Sequence, residues 1–485
     1  MLAERAIIGP LRTHPAHSWF LRLTIAGCLA ACVFASPASA ASGWSRPVNV
    51  SGGMSIGEES PLVSVDSAGN ATAVWRRYRG GKLIYESAVR QVGGPWSTPS
   101  RFFGGLEDAY GLQIAVDTLG NETAVWGRRL GRSWVVQSAT RSVGGSWSAA
   151  VTLSAAGAGS ALVAAGPEGN VTAVWLLERE EGWRSVVQSV TRPAGGPWSA
   201  PVTLSPPKKA ARSPQIALDP QGGATAVWEE EYSGAIESST RSSGGTWSAP
   251  VTVSATGVRA AWPQVAVDSQ GNATAVWAGR ASNGRRIQIQ SRRIQTATRP
   301  AGGTWSAPVS ISKAGHRHVQ DPQIAVSPQG EATTIWQRSN GSYLVVQGAT
   351  RSAGGGWSRP VDITTGQRRG GQHLQLVVDS WGTATAIWEG YDTRPGPNFV
   401  IQAAKHPLGG AWSRPTDVSR WTRSLGEPQI AVDPQGRSTA IWVIGTKGGA
   451  VIQAATSVRK VERTLALQRG IRMPEEGLEP PTRGL

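Results

Sequence analysis

The sequence has little cysteine, methionine and charge. Its 485 residues include 2 Cys and 3 Met, and 16% of them are charged. Both cysteines, Cys28 and Cys32, lie near the N-terminus, which excludes a disulfide framework for the rest of the chain. A low charge fraction combined with 40% hydrophobic residues excludes an intrinsically disordered protein. The fold must therefore be stabilised by a hydrophobic core without disulfides.

Long apolar runs are also missing. The apolar stretch 23–35 follows Arg22 and precedes small residues that end at Ala40; it is too short to cross a bilayer and is typical of a signal peptide. Residues 1–40 are therefore predicted to be a secretion signal, and the protein to be secreted and extracellular. In an alternative, the four residues ending at Cys32 resemble a lipobox, and a lipid on Cys32 would anchor the protein at the bacterial cell surface.

Phe and Tyr are scarce, with 5 and 6 copies, whereas Trp occurs 22 times. Sixteen of these Trp form two series whose members follow one another at intervals near 51 residues. One series begins Trp-Ser pairs: Trp44, Trp96, Trp147, Trp198, Trp247, Trp305, Trp357 and Trp412. The other ends Thr-Ala-Val-Trp-like runs: Trp75, Trp126, Trp175, Trp228, Trp277, Trp336, Trp388 and Trp442. A fixed period of this length indicates a repeat architecture, and both series are predicted to be structural core.

Each repeat contains four short runs that are typical of β-strands. In the fifth copy these are strand a at 263–268, b at 272–277, c at 294–299 and d at 305–312. They are rich in Val, Ile, Thr and Trp and are separated by Gly and Pro, which favour turns. The chain shows no sustained helical period. Four antiparallel strands per repeat predict an all-β protein.

The ends of the repeat region favour a closed ring. The region opens with a lone d-type strand at 44–50 and closes with a c-type strand at 451–456. Pairing the first strand with the last sheet would remove the exposed edges of an open array. Residues 41–457 are therefore predicted to form a single eight-bladed β-propeller whose last blade is completed by the N-terminal strand. Residues 458–485 do not follow the repeat; a disordered tail is expected, and its end resembles a peptide from a reading frame that runs into a transfer-RNA gene.

Two propeller families are similar to this pattern. The sequence Pro-Gln-Ile-Ala-Val-Asp-Pro-Gln-Gly at 428–436 resembles the NHL repeat. The order of Asp268, Gly271 and Trp277 resembles the Asp-box of sialidase-like propellers. Both resemblances imply the propeller fold, and the second implies glycoside hydrolysis as an alternative activity. No Tyr stands in a recognisable nucleophile context, so no catalytic residue is assigned.

Two polar positions recur in strand c. Arg ends the strand in six copies, and Gln or Glu stands four residues earlier in all eight, as with Arg299 and Gln295. Recurrence in register indicates a structural position, with the Gln or Glu side chain bonding backbone groups between blades. In the alternative, carboxamide, Arg and Trp form a repeated glycan pocket, and the ring is a multivalent lectin.

The b–c and d–a connections vary between copies, as expected of a surface that carries specificity. The candidate ligand-binding residues in these connections are Trp262, Arg285, Arg286, His316, His318, Arg369 and Trp421. The His316–His318 pair lacks a third spaced ligand, so no metal site and no cofactor are predicted.

The net charge is +16, which favours acidic partners. For an exported protein these are anionic cell-wall polymers, glycans or proteins; nucleic acid is not expected, and a membrane only if Cys32 is lipidated. The leading prediction is a secreted, monomeric, non-catalytic propeller that binds a ligand on the face of the variable connections. The alternatives are a sialidase-like glycoside hydrolase and a multivalent lectin.

Overall fold

The computed structural model describes residues 43–52, 59–79, 82–102, 109–179, 184–281, 292–313, 319–364, 369–392 and 398–457. The predicted signal peptide and C-terminal tail lie outside these residues. The described part of the chain forms 32 strands and contains no helix, and therefore no helix in it is long and apolar enough to cross a membrane.

The strands repeat in the order a, b, c, d. The a strands are β2 (Glu59–Val65), β6 (Ala109–Val116), β10 (Ala158–Ala165), β14 (Ala211–Leu218), β18 (Val258–Val267), β22 (Val319–Val326), β26 (Arg369–Val378) and β30 (Leu425–Val432). The b strands are β3 (Ala71–Arg79), β7 (Glu122–Leu130), β11 (Val171–Arg179), β15 (Ala224–Glu230), β19 (Ala273–Ala281), β23 (Ala332–Ser339), β27 (Ala384–Asp392) and β31 (Ser438–Thr446). The c strands are β4 (Lys82–Arg90), β8 (Ser133–Arg141), β12 (Arg184–Arg192), β16 (Ile236–Arg241), β20 (Arg292–Arg299), β24 (Leu344–Arg351), β28 (Phe399–His406) and β32 (Gly449–Ser457). The d strands are β1 (Val48–Asn49), β5 (Ser100–Arg101), β9 (Val151–Thr152), β13 (Val202–Thr203), β17 (Val251–Thr252), β21 (Val309–Ser310), β25 (Val361–Asp362) and β29 (Thr416–Asp417).

These strands form eight four-stranded antiparallel sheets arranged as a ring, which confirms the predicted eight-bladed β-propeller. Each a strand contacts the a strands of the blades on both sides, and β30 contacts β2, so the circle of inner strands is closed. Seven blades are continuous in sequence. In the eighth, the sheet order is β1–β32–β31–β30, so the N-terminal strand completes the last blade as predicted.

The d strands are shorter than predicted, with two residues each. The predicted strand 305–312 reduces to β21 because Pro308 interrupts it, and proline has no N–H to donate to a ladder. The Ser after each d-series Trp partly replaces the missing pairing: Ser306 Oγ accepts a hydrogen bond from the Thr298 N–H at 3.1 Å. The outer edge of each blade is therefore held by a short ladder and a side-chain contact.

The two Trp series lie in the packing between blades. All eight b-series indoles are 0% exposed, and the eight d-series indoles are partly buried against the same clusters. In one such cluster, Trp175 and Trp198 of the third blade pack with Val125 and Val136 of the second. A buried Trp removes about 150–250 Å² from water, so these indoles dominate the contact between neighbouring sheets.

The recurring Arg of strand c also joins neighbouring blades. Arg192 Nη2 donates to Thr123 Oγ1 of the preceding blade at 3.0 Å, and its guanidinium lies over the Trp198 ring at 5.5 Å from the centroid. At the closure, Arg90 of the first blade donates to Thr439 Oγ1 of the last at 2.9 Å. The position therefore serves packing between blades.

Covalent closure of the last blade tests the ring. Asn49 and Gln453 pair across β1 and β32, and their side chains hydrogen-bond at 3.0 Å. We expect the double variant Asn49→Cys/Gln453→Cys to form an intramolecular disulfide that raises the unfolding temperature, since crosslinking distant residues stabilises by up to about 5 kcal/mol. Thermal unfolding with and without reductant measures the gain.

The single variant Asn49→Cys is the control, and it should show no dependence on reductant. Failure of the double variant to crosslink under oxidising conditions would mean that β1 does not complete the eighth blade.

Candidate functional site

Every inner strand contains a two-residue bulge opposite the buried Trp of its blade. In the fifth blade, Ala261 pairs with Ala278 and Gln264 pairs with Val276, so Trp262 and Pro263 together oppose Trp277. The same register shift occurs in all eight blades. Proline fits the second bulge position because it has no N–H to leave unpaired, and it stands there in five blades: Pro61, Pro214, Pro263, Pro322 and Pro428.

The first bulge residue has a left-handed backbone in every blade. It is glycine only in the second blade, at Gly111. The other seven have φ between 50° and 55°: Ser60, Ser160, Ser213, Trp262, Asp321, His373 and Glu427. A non-glycine residue in this conformation costs about 1–3 kcal/mol, and glycine would avoid the cost. Seven blades therefore keep a side chain at this position although it strains the backbone.

Four successive blades, the fifth to the eighth, carry Trp262, Asp321, His373 and Glu427 at this position. With the adjacent Arg292 and Glu389 these residues form a surface that we name the polar arc. All four bulges lie in the first half of their inner strand, near the d–a connections. The arc therefore lies at the end of the ring where the variable connections are.

The arc begins at Trp262. Its indole is partly buried against Ile294 and Val319 at the junction of the fifth and sixth blades, and the Arg292 guanidinium lies 4.4 Å from its ring centroid. Such stacking is worth about 0.5–2 kcal/mol. The indole thus fixes the position of the cation, which is close enough to act electrostatically on Asp321.

Asp321 lies within electrostatic reach of Arg292 and His373. Its Oδ2 is 3.5 Å from Gln320 Nε2, and its Oδ1 is buried without a hydrogen-bond partner. Burial raises the pKa of this carboxyl from 3.8 to about 7, although both cations favour the charged form. Desolvation therefore outweighs the ion pairing, and Asp321 titrates near neutral pH.

His373 is the most exposed member of the arc, with 56% of its side chain accessible, whereas its partner Glu389 is 3% accessible. His373 Nδ1 lies 2.9 Å from Glu389 Oε2. This hydrogen bond, followed by the charges of Glu389, Glu427 and Asp321, raises the pKa of the imidazole. Glu389 Oε1 also accepts from Gln372 Nε2 at 2.9 Å, which holds the carboxylate in place.

Glu427 ends the arc. Its Oε2 accepts a hydrogen bond from the Ser60 N–H at 2.7 Å, which connects the eighth blade to the first. The arc thus contains a guanidinium, an imidazole, a carboxyl that titrates near neutrality and two carboxylates with internal donors. Such a set can donate hydrogen bonds to a polar or anionic group, and it can exchange a proton near pH 7.

The structure corrects the placement of two predicted site residues. Trp262 and Arg369 were expected in d–a connections, but both belong to inner strands: Trp262 lies in β18 at the bulge, and Arg369 begins β26 opposite Asp392. The inner strands begin on the N-terminal side of Pro263 and its counterparts, because these prolines lie in a bulge within the strand and do not begin it. Of Arg369, only the backbone is described.

One further candidate, Trp421, does not join the arc. Trp421 lies between β29 and β30, where its Nε1 donates to Asp417 Oδ2 at 3.0 Å. Arg285, Arg286, His316 and His318 lie outside the described residues. Within the part of the chain that is described, no group of three or more His, Cys, Asp or Glu could hold a metal ion.

The recurring Gln or Glu of strand c bonds within its own blade rather than between blades as predicted. In five blades its oxygen accepts from the buried indole, as Glu237 Oε2 does from Trp228 Nε1 at 3.1 Å and Gln347 Oε1 from Trp336 Nε1 at 3.1 Å. Gln347 Nε2 then donates to Asp362 of strand d at 2.7 Å. These polar atoms are used inside the sheet, which favours a structural role over a repeated glycan pocket.

The opposite end of the ring is more uniform. Its Asp turns are closed by local hydrogen bonds, such as that from the Asn121 N–H to Asp117 Oδ1 at 2.8 Å. A cavity of about 110 Å³ lies there between inner strands, lined by apolar residues such as Leu62, Ile114 and Ile430 together with the turn residues Asp66, Asp117, Asp379 and Asp433. Asp stands at this turn in six blades, and Gly166 and Ser327 replace it in the other two, so this end varies less from blade to blade than the arc does.

Comparison with known proteins shows the fold alone. No family model matches the chain, and no curated protein matches it, so neither the NHL nor the sialidase-like resemblance gains support. An ulvan lyase of polysaccharide lyase family 25, bound to -[GlcA(1-4)Rha3S]-, is 10% identical over 88% of this chain and 100% of that one, with a TM-score of 0.50. A second structure of an ulvan lyase of this family is 11% identical with the same coverage and TM-score.

A prolyl endopeptidase structure is 12% identical over 80% of this chain, with a TM-score of 0.46, and the match spans 54% of the endopeptidase chain. Propellers host many unrelated functions, so these likenesses assign no activity to this chain.

The pH dependence of stability tests the state of Asp321. Because its folded-state pKa lies above 3.8, the folded protein holds this proton more tightly than the unfolded chain, and its contribution to stability falls as pH rises from about 4 to about 7. Asp321→Asn removes this loss. The measured quantity is the unfolding temperature of the variant minus that of wild type. We expect this difference to be at least about 2 °C larger at pH 8 than at pH 4.

Asn also suits a left-handed backbone, so the readout is the difference between the two pH values. The matched control is Asp362→Asn, which breaks the 2.9 Å ion pair with Arg338 and should lower stability at pH 8. A pH-independent effect of Asp321→Asn would contradict the raised pKa.

Proposed function

We propose that this protein is a secreted β-propeller that binds a carbohydrate ligand at the polar arc, and that it acts by binding rather than by catalysis. The observation that carries this proposal is the strained bulge position. Four blades keep Trp262, Asp321, His373 and Glu427 there, where glycine would serve the backbone better. Strained residues persist where their side chains serve a purpose, and they cluster at functional sites.

The contrast between the two ends of the ring supports the same site. The Asp-turn end keeps the same turn residue in six of the eight blades, as a framework does. The arc differs from blade to blade, as a recognition surface does. It also lies at the end of the ring that carries the variable b–c and d–a connections.

The chemistry of the arc supports a carbohydrate. Donors and acceptors from several blades stand beside Trp262, a partly buried aromatic side chain. Sugars present hydroxyl groups together with small apolar faces, which match such a mixture of polar groups and an aromatic side chain. The positive net charge favours acidic glycans and anionic cell-wall polymers as the source.

A second function is favoured by Asp321. A carboxyl that titrates near pH 7 and lies near an imidazole suits general acid–base catalysis, and glycoside hydrolysis uses two carboxyl groups. Assays with a panel of fluorogenic glycosides separate this alternative from binding. Turnover that Asp321→Asn abolishes would replace the binding proposal with catalysis.

An array of neutral and acidic oligosaccharides tests the proposal directly. We expect the protein to bind at least one class of glycan and His373→Ala to weaken that binding at least tenfold, because the imidazole is the accessible donor of the arc. The control is Trp381→Ala, since Trp381 is an aromatic residue, 57% exposed, in an Asp turn at the other end of the ring. An array without binding, or binding lost only in Trp381→Ala, would refute the proposal.

A further inference from the structure

We propose that the ligand carries a carboxylate, which binds between Arg292 and His373 and accepts a hydrogen bond from the protonated carboxyl of Asp321. The inference rests on the proposed function and specifies the class of saccharide, a uronic acid. It follows from how the arc holds Arg292 and His373 and from the carboxyl of Asp321, whose Oδ1 has no hydrogen-bond partner.

The first cation is held by an aromatic ring. The guanidinium of Arg292 lies 4.4 Å from the ring centroid of Trp262, and the indole is itself anchored in the core between the fifth and sixth blades. A guanidinium is a planar donor that can bind a carboxylate through two parallel hydrogen bonds. A lysine would lack both the stacking and this geometry.

The second cation is held by a buried carboxylate. Glu389 orients the His373 ring at 2.9 Å and is fixed by Gln372 at 2.9 Å, while 56% of the imidazole side chain stays accessible. The other acidic residue, Glu427, already accepts from the Ser60 backbone at 2.7 Å. Both glutamates are thus engaged by internal donors, and their two charges balance those of Arg292 and His373.

Asp321 lies within electrostatic reach of Arg292 and His373, and its charge affects what the arc can bind. As a carboxylate it would add a negative charge that repels an external anion. As a neutral acid it leaves the charges of Arg292 and His373 balanced by those of the two glutamates, and it gains an O–H that can donate. Its Oδ1 is buried without a partner, and an unpaired buried polar atom costs about 1–3 kcal/mol, which disfavours the charged form.

The charged groups that act on Asp321 come from several blades. Among the described side chains, β20 contributes Arg292 and β26 contributes His373; β27 and β30 contribute Glu389 and Glu427, which act on His373. From β22 and β23, the neutral pair Gln320 and Gln337 is hydrogen-bonded at 2.9 Å, and β18 contributes the uncharged Trp262.

Binding and protonation are therefore linked. An incoming carboxylate disfavours the charged form of Asp321, so above pH 7 the complex takes up a proton that the free protein has lost. Affinity should be constant below pH 6 and fall by up to tenfold per pH unit above pH 7.

Calorimetric titration with tetragalacturonate and with its methyl ester tests the inference, because the ester keeps the sugar chain and replaces each charged carboxylate by a neutral methyl ester. We expect the acid to bind at least tenfold more tightly than the ester at pH 6, and the acid to lose at least fivefold in affinity between pH 6.5 and 8. Titrations at pH 8 in buffers of different ionisation enthalpy should show an uptake of about one proton.

Three variants assign the effect to residues. Asp321→Asn supplies a permanent N–H donor, so it should retain binding at pH 8 without proton uptake. Arg292→Gln should reduce the acid to the affinity of the ester, and the control Arg338→Gln, whose partner is Asp362, should not. Unfolding temperatures establish that each variant is folded.

The outcomes separate the inference from the proposed function. Equal affinity for acid and ester, or a pH dependence that persists in Asp321→Asn, overturns the inference and leaves carbohydrate binding intact. Absence of binding to either oligosaccharide, together with an array without binding, overturns both.

Discussion

The geometry of each blade depends on one fully buried indole. The b-series Trp, 0% exposed in all eight blades, stands opposite two residues of the inner strand instead of one. The resulting bulge bends the strand and turns its first residue into the left-handed region. Repeated around the ring, this constraint creates eight equivalent positions near one end of the ring. A non-glycine side chain at these positions requires a strained, left-handed backbone.

Contacts that hold the blades together and the proposed recognition surface lie in different parts of the ring. Contacts that recur in register, such as Arg192 with Thr123, hold the blades together and leave little room for variation. The bulge positions do not repeat one such contact: Trp262 packs between the fifth and sixth blades, and Glu427 accepts a hydrogen bond from Ser60 of the first blade. The bulge positions carry serine or glycine in four blades and Trp262, Asp321, His373 and Glu427 in the other four. A symmetric scaffold thus presents one asymmetric site, which is what binding a single ligand requires.

The period and the split repeat were sufficient to predict eight blades and their closure, because both follow from the spacing of Trp. The arc was only partly predictable. Trp262 was predicted to lie in a connection, because the proline at position 263 was taken as the start of the strand. The sequence does not show that a bulge accommodates this proline. Trp262, Asp321 and Glu427 each precede a Pro-Gln pair, and this shared position in the repeat could have identified them as equivalent. His373 precedes leucine and lacks this pattern. The approach of Arg292 to Asp321 depends on packing between blades, which the sequence does not show.

The most direct test of the account is the free energy of unfolding of Ser213→Gly. Ser213 is exposed and has φ of 50°, so relief of strain should exceed the entropic cost of glycine and stabilise the protein by about 1 kcal/mol. Ser185→Gly, within β12, should instead lose about 0.5–1 kcal/mol. Equal losses in both variants would show that the bulge is unstrained, and the side chains of the arc would then no longer indicate a functional site.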